Sequence, residues 1–421
     1  MNRVARRIHL WLSVPFGLVI TVICFSGAML VFETEVTEWS HPERYRVREL
    51  LPEKFPLDRL AESVQAQLPD TLAIGSVSIA SDRERNYRFG FAGQRTAAAY
   101  VDPYSGEIRD LILVPQQTFF FVMRRLHRWL MGSFRPGGGF SPGKTAVGVS
   151  TLVFVLILLT GLLAWIPKTK KALKGSLGIH VRYGWKRFWH DLHVAGGVYS
   201  IVMLLALSLT GLTWSFTWYR NGFYRLFGAE PPQMQMPAPQ SGQGGQPEGQ
   251  SNRQGRPEGQ GNRQGRSEGQ GSREGRPSEA GREGRERSSD AAGRGGNSGR
   301  ARTVDFTKWQ AVADRLIAQY PDFKTLTVSD GRASISVSSM GNSRASDTYL
   351  FDAQTGAVTE VRYYRDLSRA DKLRGWIYSV HVGSWGGPAT RILAFLAALA
   401  GASLPLTGYY MWIKRIRRRE E

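Results

Sequence analysis

The sequence contains a single cysteine, Cys24, among 421 residues. A disulfide within the chain is therefore impossible, and so is a zinc or iron–sulfur site that needs several thiolates. Acidic residues are also few: 35 Asp and Glu stand against 55 Lys and Arg, giving a formal net charge of +20. The mean hydropathy is slightly negative, but this average hides four segments that contain no charged side chain.

These charge-free segments cover residues 8–32, 145–166, 192–218 and 392–413. Each is long enough to cross roughly 30 Å of hydrocarbon as a helix, so we expect four transmembrane helices. The first segment could instead be a cleaved signal peptide. Its apolar run exceeds the usual ~7–15 residues of such a peptide, and no small-x-small cleavage motif follows it.

The short segments between and beside these helices are strongly basic and hold more than half of the net charge of +20. The positive-inside rule places them in the cytoplasm together with both termini, and the large segments 33–144 and 219–391 outside. The cations are Arg3, Arg6, Arg7, Lys168, Lys170, Lys171, Lys174, Arg182, Lys186, Arg187, Lys414, Arg415, Arg417, Arg418 and Arg419. The basic balance is thus mainly a topology signal and does not indicate nucleic-acid binding.

The two halves of the chain resemble each other. "RRIHLWLSVPFGLVITVICFSG" and "RFWHDLHVAGGVYSIVMLLALSLTG" place His9 and His193 at the same distance before Gly27 and Gly211. "AESVQAQLPD" and "VADRLIAQYPD" predict amphipathic helices, and alternating runs that predict strands follow both. "VDPYSGEI" (101–108) and "FDAQTGAV" (351–358) share a D-x-x-[ST]-G pattern that predicts a tight turn between strands.

Each half is therefore predicted to consist of a transmembrane helix, a small α+β domain and a second transmembrane helix. The predicted order is helix 8–32, domain 40–115, interfacial segment 116–144, helix 145–166, loop 167–190, helix 191–218, linker 229–302, domain 303–366, interfacial segment 367–391 and helix 392–413. The linker breaks the symmetry with a ten-residue Gly/Gln/Arg-rich repeat, and its low apolar content predicts disorder. It could be a passive spacer, whereas RNA binding is disfavoured because both of its flanks lie on the outer side.

Histidine is scarce, with seven in the sequence, but four histidines occupy corresponding positions in the two halves. His9 and His193 stand at the cytoplasmic starts of the first and third helices, and His127 and His381 stand just before the second and fourth. Haem iron takes two axial imidazoles, which facing helices of a bundle can supply. The arrangement predicts one haem between His9 and His193 and another between His127 and His381. Each histidine alone could also be a solvated or capping residue.

The predicted cofactor is haem, about two per chain, held by side chains alone because the C-x-x-C-H attachment motif is absent. His190 shares a helical face with His193, but Arg6 stands at the equivalent position before His9, so its role as a ligand is left open. His41 and His180 have no repeat partner and are expected at the surface. Cations that could pair with haem propionates, or could simply be solvated, are Arg124, Arg125, Arg128 and Lys186. Glycines that could admit a macrocycle or a packed helix are Gly17, Gly27, Gly196, Gly197 and Gly211.

The arrangement resembles the PepSY-associated transmembrane proteins, a family that includes bacterial ferric-siderophore reductases of the inner membrane. The resemblance rests on the "IH" or "LH" histidines His9, His127 and His193, the looser "VHVG" at His381, and the two D-x-x-[ST]-G turns. It covers nearly the whole chain apart from 229–302. It implies a membrane α-helical fold: a four-helix transmembrane bundle with two periplasmic α+β PepSY domains, internally duplicated.

The resemblance also implies b-type haem and reduction of a ferric siderophore, or another periplasmic Fe(III) chelate, to release Fe(II). Hard oxygen ligands hold Fe(III) more strongly than Fe(II), so one electron loosens the complex. The substrate surface would then lie on the periplasmic side. Some aromatic residues on that side could contact the substrate, or could equally be anchors at the membrane interface. They are Trp129, Phe134, Trp376, Tyr378 and Trp385.

The electron donor must come from elsewhere. Loop 167–190 is too short for a βαβ dinucleotide domain and carries no G-x-G-x-x-G. A separate reductase, a reduced flavin or a membrane quinol remain open as donors.

Three other functions compete. The acceptor could be a different chelate, a flavin or a redox protein. The chain could instead be a non-catalytic PepSY membrane regulator or a peptidase-inhibitory anchor protein, which predicts no bound haem. A transporter is disfavoured because no Asp, Glu, Lys or Arg lies within the four charge-free segments to relay a proton or metal ion.

Overall fold

The computed structural model describes residues 3–113, 118–132, 140–167, 169–231, 304–339 and 341–420, so most of the predicted linker 229–302 lies outside the described residues. Within them the chain forms twelve α-helices and eight β-strands. The helices are α1 (Arg3–Val31), α2 (Glu33–Ser40), α3 (Pro42–Tyr45), α4 (Leu57–Gln67), α5 (Phe119–Trp129), α6 (Pro142–Trp165), α7 (Lys170–Leu177), α8 (Trp185–Ser215), α9 (Thr217–Leu226), α10 (Trp309–Gln319), α11 (Arg369–His381) and α12 (Pro388–Glu420). The strands are β1 (Ile74–Ala80), β2 (Tyr87–Phe91), β3 (Gln94–Val101), β4 (Ile108–Ile112), β5 (Thr325–Ser329), β6 (Arg332–Ser336), β7 (Ser346–Phe351) and β8 (Val358–Arg362).

Helices α1, α6, α8 and α12 are long and apolar enough to cross a membrane. They correspond to the four spans expected from the sequence, but each begins several residues before its charge-free run. The extra turns are polar or basic, and long cationic side chains can continue a helix out of the apolar layer with their charged ends in water.

The four spanning helices pack as a ring. Helix α1 contacts α6 and α12, and α8 contacts the same two helices, so α1 and α8 face each other across the bundle. Small residues allow close approach: Gly17 of α1 lies against Tyr409 of α12, whose hydroxyl donates to the Val14 carbonyl at 2.6 Å. The end where α1 and α8 begin and α6 and α12 end is called the basic end below, and the opposite end is called the sheet end.

Two shorter helices lie in the segments predicted to be interfacial, 116–144 and 367–391. Helix α5 packs against α1 and α6, and α11 packs against α8. Both begin at a hydroxyl residue that caps the helix: Thr118 accepts from the Phe121 amide at 3.3 Å and Ser368 from the Asp371 amide at 3.1 Å. The loop predicted at 167–190 also contains helix, namely α7 and the first turn of α8.

The strands form one antiparallel sheet in the order β4-β3-β2-β1-β5-β6-β7-β8. Four strands come from each half, and β1 pairs with β5 at the centre, where Ser78 stands opposite Thr327 with their hydroxyl oxygens 2.9 Å apart. The sequence predicts two α+β domains and does not specify how they meet; in the structure their strands join edge to edge in one sheet. An alternating pattern specifies the buried face of a strand but leaves its edge partner open.

Helices α4 and α10 cover one face of this sheet around Trp309, which is fully buried. The two predicted D-x-x-[ST]-G turns lie between β3 and β4 and between β7 and β8. In each turn the glycine amide donates to the aspartate carbonyl, Gly106 to Asp102 at 2.9 Å and Gly356 to Asp352 at 2.7 Å. Both glycines have a φ above +70°, which explains the requirement for glycine at these positions.

Candidate functional site

The four histidines at corresponding positions of the two halves lie close together in two pairs. At the basic end, His9 of α1 faces His193 of α8 across the ring of helices, with ring centroids 6.2 Å apart and planes at 87°. At the sheet end, His127 of α5 and His381 of α11 lie with centroids 6.0 Å apart and planes at 45°. These are the pairings expected from the sequence, and we call them the basic-end pair and the sheet-end pair.

All four imidazoles direct Nδ1 at a backbone carbonyl oxygen of a neighbouring spanning helix. The contacts are His9 to Ile157 at 2.9 Å, His127 to Ile23 at 2.9 Å, His193 to Leu404 at 3.1 Å and His381 to Leu207 at 2.9 Å. A carbonyl oxygen can only accept, so in the neutral ring Nδ1 carries the proton and donates it. The lone pair then resides on Nε2, the nitrogen left free to bind a metal ion.

The four accepting carbonyls occupy one position in a motif that recurs in every spanning helix. Each lies three residues before a Ser or Thr that is followed by glycine: Ser26-Gly27, Thr160-Gly161, Thr210-Gly211 and Thr407-Gly408. Each hydroxyl also donates to that carbonyl, at 2.8–3.1 Å. In two cases the hydroxyl oxygen also lies near Nδ1 itself, 2.8 Å for Thr407 with His193 and 3.3 Å for Thr210 with His381.

The glycine of the motif makes room for the ring. An added Cβ atom would come within 2.9 Å of His127 at Gly27, 3.1 Å of His9 at Gly161, 3.0 Å of His381 at Gly211 and 3.6 Å of His193 at Gly408. The sequence singled out Gly27 and Gly211 but not Gly161 or Gly408. The recurrence of [ST]-G in all four spans is the signal that could have identified them. Gly17, Gly196 and Gly197 contact no histidine.

The two pairs lie at different depths of the bundle. Along α1, His9 belongs to the basic-end pair, and the Ile23 carbonyl holds His127 of the sheet-end pair. Along α8, His193 likewise belongs to the basic-end pair, and the Leu207 carbonyl holds His381 of the sheet-end pair. At about 1.5 Å per residue, these spacings put the pairs roughly 20 Å apart along the helix axes.

Each pair could hold a metal ion between two imidazoles. Two rings that bind one ion from opposite sides through Nε2, at about 2.0 Å each, have centroids about 6 Å apart, which agrees with the observed 6.2 Å and 6.0 Å. Among the described residues no cluster of three or more His, Cys, Asp or Glu forms a metal site.

The remaining histidines lie outside both pairs. His190, left open as a ligand, has a side chain 56% exposed and a ring nitrogen 3.4 Å from Asp191. His180 contacts the same buried carboxylate at 2.9 Å, and His41 lies 3.6 Å from Glu43. Asp191 thus gathers two of these histidines at the basic end.

Three of the four cations considered for propionate pairing lie at the sheet end and have protein partners there. Arg124 forms an ion pair with Glu33, Arg125 donates to the Met131 carbonyl at 2.6 Å, and Arg128 lies 4.6 Å from the Trp129 ring. Lys186 lies at the opposite, basic end, in a groove that also includes His190.

One aromatic ring packs against the sheet-end pair. Trp214, which the sequence did not single out, lies edge-on to His381 with centroids 5.0 Å apart. Of the aromatic candidates, Trp376 and Trp385 are 42% and 39% exposed, and Tyr378 lies under Arg344 at 3.3 Å. Phe134 lies outside the described residues.

The sheet is attached directly to the helix that carries His381. The loop after β6 packs on α11: the Asn342 side chain lies against Gly375, and the Ser343 amide donates to the Ser379 hydroxyl at 2.9 Å. Ser379 is fully buried and lies two residues before His381. A displacement of this loop would therefore reach the sheet-end pair through α11.

A comparison with curated protein sequences finds no match for the chain. A family model described as the PepSY-associated TM region matches residues 6–415. The match includes all four spanning helices, both histidine pairs and all eight strands. The chain therefore belongs to the PepSY-associated transmembrane family.

Proposed function

We propose that the chain is a haem-dependent transmembrane oxidoreductase of the bacterial inner membrane that passes electrons through two haems to a ferric chelate outside. The observation that carries this proposal is the arrangement of the four histidines. They form two opposed pairs at different depths, and all four Nδ1 atoms bond to a carbonyl oxygen. This leaves four Nε2 lone pairs available as axial ligands.

The protein residues would hold and orient the cofactor. A carbonyl that accepts the Nδ1 proton fixes the tautomer and the ring orientation, and it makes Nε2 a stronger ligand. The glycines Gly27, Gly161, Gly211 and Gly408 let each ring lie flush against its helix. Haem b, when bound in this way, supplies a centre that accepts and donates one electron at a time.

The direction of transfer follows from the charge distribution. The positive-inside rule places the basic end, with both termini, in the cytoplasm and the sheet end in the periplasm. The basic-end pair would then receive electrons from a cytoplasmic or membrane donor, and the sheet-end pair would pass them outward. We infer that the two halves arose by duplication, since the motif that holds each imidazole recurs in all four spanning helices.

The acceptor we propose is an Fe(III) siderophore or a similar oxygen-ligated chelate. One electron converts Fe(III) to Fe(II), which oxygen donors hold less strongly, so iron is released. The attachment of the Asn342 loop to α11 supports a substrate site at the sheet end, because ligand contacts with the sheet would be felt next to His381.

Visible spectroscopy tests the cofactor. We expect detergent-purified protein from haem-replete cells to show α and β bands on dithionite reduction, with about two haems per chain by pyridine haemochrome. His9→Ala and His193→Ala should remove one haem, and His127→Ala and His381→Ala the other, whereas His41→Ala should retain both. Protein without haem would overturn the proposal and favour a non-catalytic regulator.

Reoxidation tests the substrate. Anaerobic protein reduced with dithionite, then freed of the reductant, should be reoxidised by a ferric hydroxamate chelate, with Fe(II) captured by a ferrous-specific chelator. The corresponding gallium chelate has the same shape and cannot accept an electron, so it serves as the control. A fully haem-loaded protein that no ferric chelate reoxidises would remove this substrate class and leave another acceptor.

A further inference from the structure

A groove opens at the basic end between the first turns of α8 and the last turns of α12. Its volume of about 650 Å³ lies within the range of about 300–1,000 Å³ that is typical of sites for small organic ligands. The proposed function assigns it no role. Its lining includes four cations, Lys186, Arg187, Lys414 and Arg415, and two aromatic rings, Tyr183 and Tyr410.

The groove attracts anions. Among the described residues its lining contains no carboxylate; the nearby Asp191 lies buried behind it, with only 3% of its side chain exposed. Asp191 accepts from Arg187 at 2.9 Å and contacts His190 at 3.4 Å, so it fixes two residues of the groove wall. Lys186, Lys414 and Arg415 then leave a net positive charge for a phosphate or carboxylate group.

The groove also offers flat aromatic surface. The Tyr410 ring has Trp189 at a centroid distance of 6.2 Å and the Lys414 ammonium at 4.6 Å from its centroid. Trp185, 72% exposed, is stacked on Trp189 with an interplanar angle of 24°. Tyr183 is 75% exposed. A planar aromatic ligand can bind such rings by offset stacking or edge contacts.

The groove lies next to the basic-end histidine pair. His190, in its lining, precedes His193 by one helical turn on α8, and Tyr410 follows Thr407 by one turn on α12. Thr407 itself contacts His193 Nδ1 at 2.8 Å. A ligand in the groove is therefore separated from the pair by about one turn of helix, about 5 Å along each axis.

We propose that this groove binds the electron donor, and that the donor is a phosphorylated reduced flavin of the flavin mononucleotide type. Its phosphate would meet Lys186, Lys414 and Arg415, and its ring system would lie along Tyr410 and Tyr183. This inference rests on the proposed function. A reduced flavin loses two electrons and two protons in becoming oxidised. It would pass the two electrons one at a time to the haem iron of the basic-end pair, and the two protons would be released on the cytoplasmic side.

Binding is tested with oxidised flavin mononucleotide and the full chain in nanodiscs of zwitterionic lipid, followed by quenching of flavin fluorescence. The double variant Lys186→Gln/Lys414→Gln should weaken binding about tenfold or more, because two charge-assisted contacts are lost. Lys171→Gln/Lys174→Gln in α7 removes the same charge outside the groove and should leave the affinity unchanged. Riboflavin, which has no phosphate, should bind weakly and be insensitive to either change.

Two other occupants give different results. If the cations held haem propionates, the groove variant would lose haem by pyridine haemochrome while the α7 variant kept it. If the groove held an anionic lipid headgroup, phosphatidylglycerol nanodiscs would abolish flavin binding by the unaltered chain. Either result overturns the inference, as does equal affinity of the two variants for flavin mononucleotide.

The electron-donor role has its own measurement. In stopped-flow mixing, chemically reduced flavin mononucleotide should reduce the bound haem at least about tenfold more slowly in the groove variant than in the α7 variant. Equal rates would overturn the inference. The fluorescence measurement of flavin binding does not require bound haem, so the two proposals can fail separately. A chain that binds flavin but contains no haem would refute only the proposed function. A chain that contains haem but binds no flavin would refute only the assignment of the groove as the flavin site.

Discussion

Gly27 of α1 lies directly against the imidazole of His127 on α5, and an added Cβ atom there would come within 2.9 Å of the ring carbon Cε1. The same relation joins Gly161 to His9 and Gly211 to His381, at 3.1 Å and 3.0 Å. In these three motifs the glycine thus determines how close the imidazole can approach its helix, and with it where Nε2 points.

We predict that Gly27→Ala removes the sheet-end haem and leaves the basic-end haem in place. The new methyl group pushes the His127 ring away from the Ile23 carbonyl, and such overpacking costs about 1–3 kcal/mol in a well-packed interior. Pyridine haemochrome should fall from about two haems per chain to about one. Gly161→Ala should have the same effect at the basic-end pair.

Gly175→Ala provides the control, because an added Cβ atom at this glycine of the short helix α7 meets nothing within 4 Å. Haem content should stay at the level of the unaltered chain, and helix stability should rise slightly, since alanine is the better helix former. Full haem content in Gly27→Ala would contradict the view that this glycine positions His127.

A second prediction concerns the hydroxyl of Thr407, which lies 2.8 Å from His193 Nδ1. Thr407→Val keeps the shape of the side chain but removes this partner, so His193 becomes a weaker ligand. Loss of such an orienting contact typically costs about 10–100-fold in metal affinity. We expect faster loss of the basic-end haem to apomyoglobin and a raised midpoint potential, because a less basic ligand stabilises the ferric form less.

Thr151→Val is the control for this change. Its hydroxyl donates to the Val147 carbonyl of its own helix at 2.7 Å and contacts no histidine, so haem retention and potential should stay as in the unaltered chain. Equal shifts in the two variants would indicate a general effect of losing a helix hydroxyl.

The histidine pairs were predictable because equivalent positions of a repeat must occupy equivalent places in the fold. The repeat, together with the predicted side of the membrane, put His9 with His193 and His127 with His381. The Nδ1 contacts were not predictable, because the accepting carbonyls of Ile23, Ile157, Leu207 and Leu404 belong to other helices. Their identity depends on the rotation and depth of each helix, which neither hydropathy nor charge specifies.

The sheet, too, could be predicted from the sequence only in part. The turns at Asp102 and Asp352 were predicted because their residues specify a local backbone conformation. The β1–β5 pairing was not predicted, because the alternation of polar and apolar residues specifies the buried face of each strand and not which strand lies beside it. Likewise, the start of α8 at Trp185 was missed because its first turns are basic and amphipathic.

The joined sheet can be tested by engineered cross-linking. Ser78→Cys with Thr327→Cys places two thiols on directly opposed residues of neighbouring antiparallel strands, whose Cα atoms are about 4.5–5.5 Å apart, within reach of a disulfide. We expect oxidation to yield one bridged peptide by mass spectrometry. Ser78→Cys with Ser329→Cys shifts the partner to a diagonal position about 7–8 Å away and should remain reduced. Comparable bridging in both variants would indicate that β1 and β5 are not paired in this register.

The last prediction concerns acid stability at the sheet end, where Glu35 of α2 accepts a hydrogen bond from Arg391 of α12 at 2.8 Å. This hydrogen bond lowers the pKa of Glu35 from its usual 4.5. Burial of the carboxyl raises the pKa, but by less than the hydrogen bond lowers it. A carboxyl with a lowered folded-state pKa contributes stability above its unfolded pKa and loses it as the pH falls through the folded value. We therefore predict that the thermal midpoint in detergent falls less steeply below pH 4.5 in Glu35→Gln than in the unaltered chain. Glu62→Gln, at an exposed site on α4, should keep the original slope, and an unchanged slope in Glu35→Gln would show that the ion pair does not contribute.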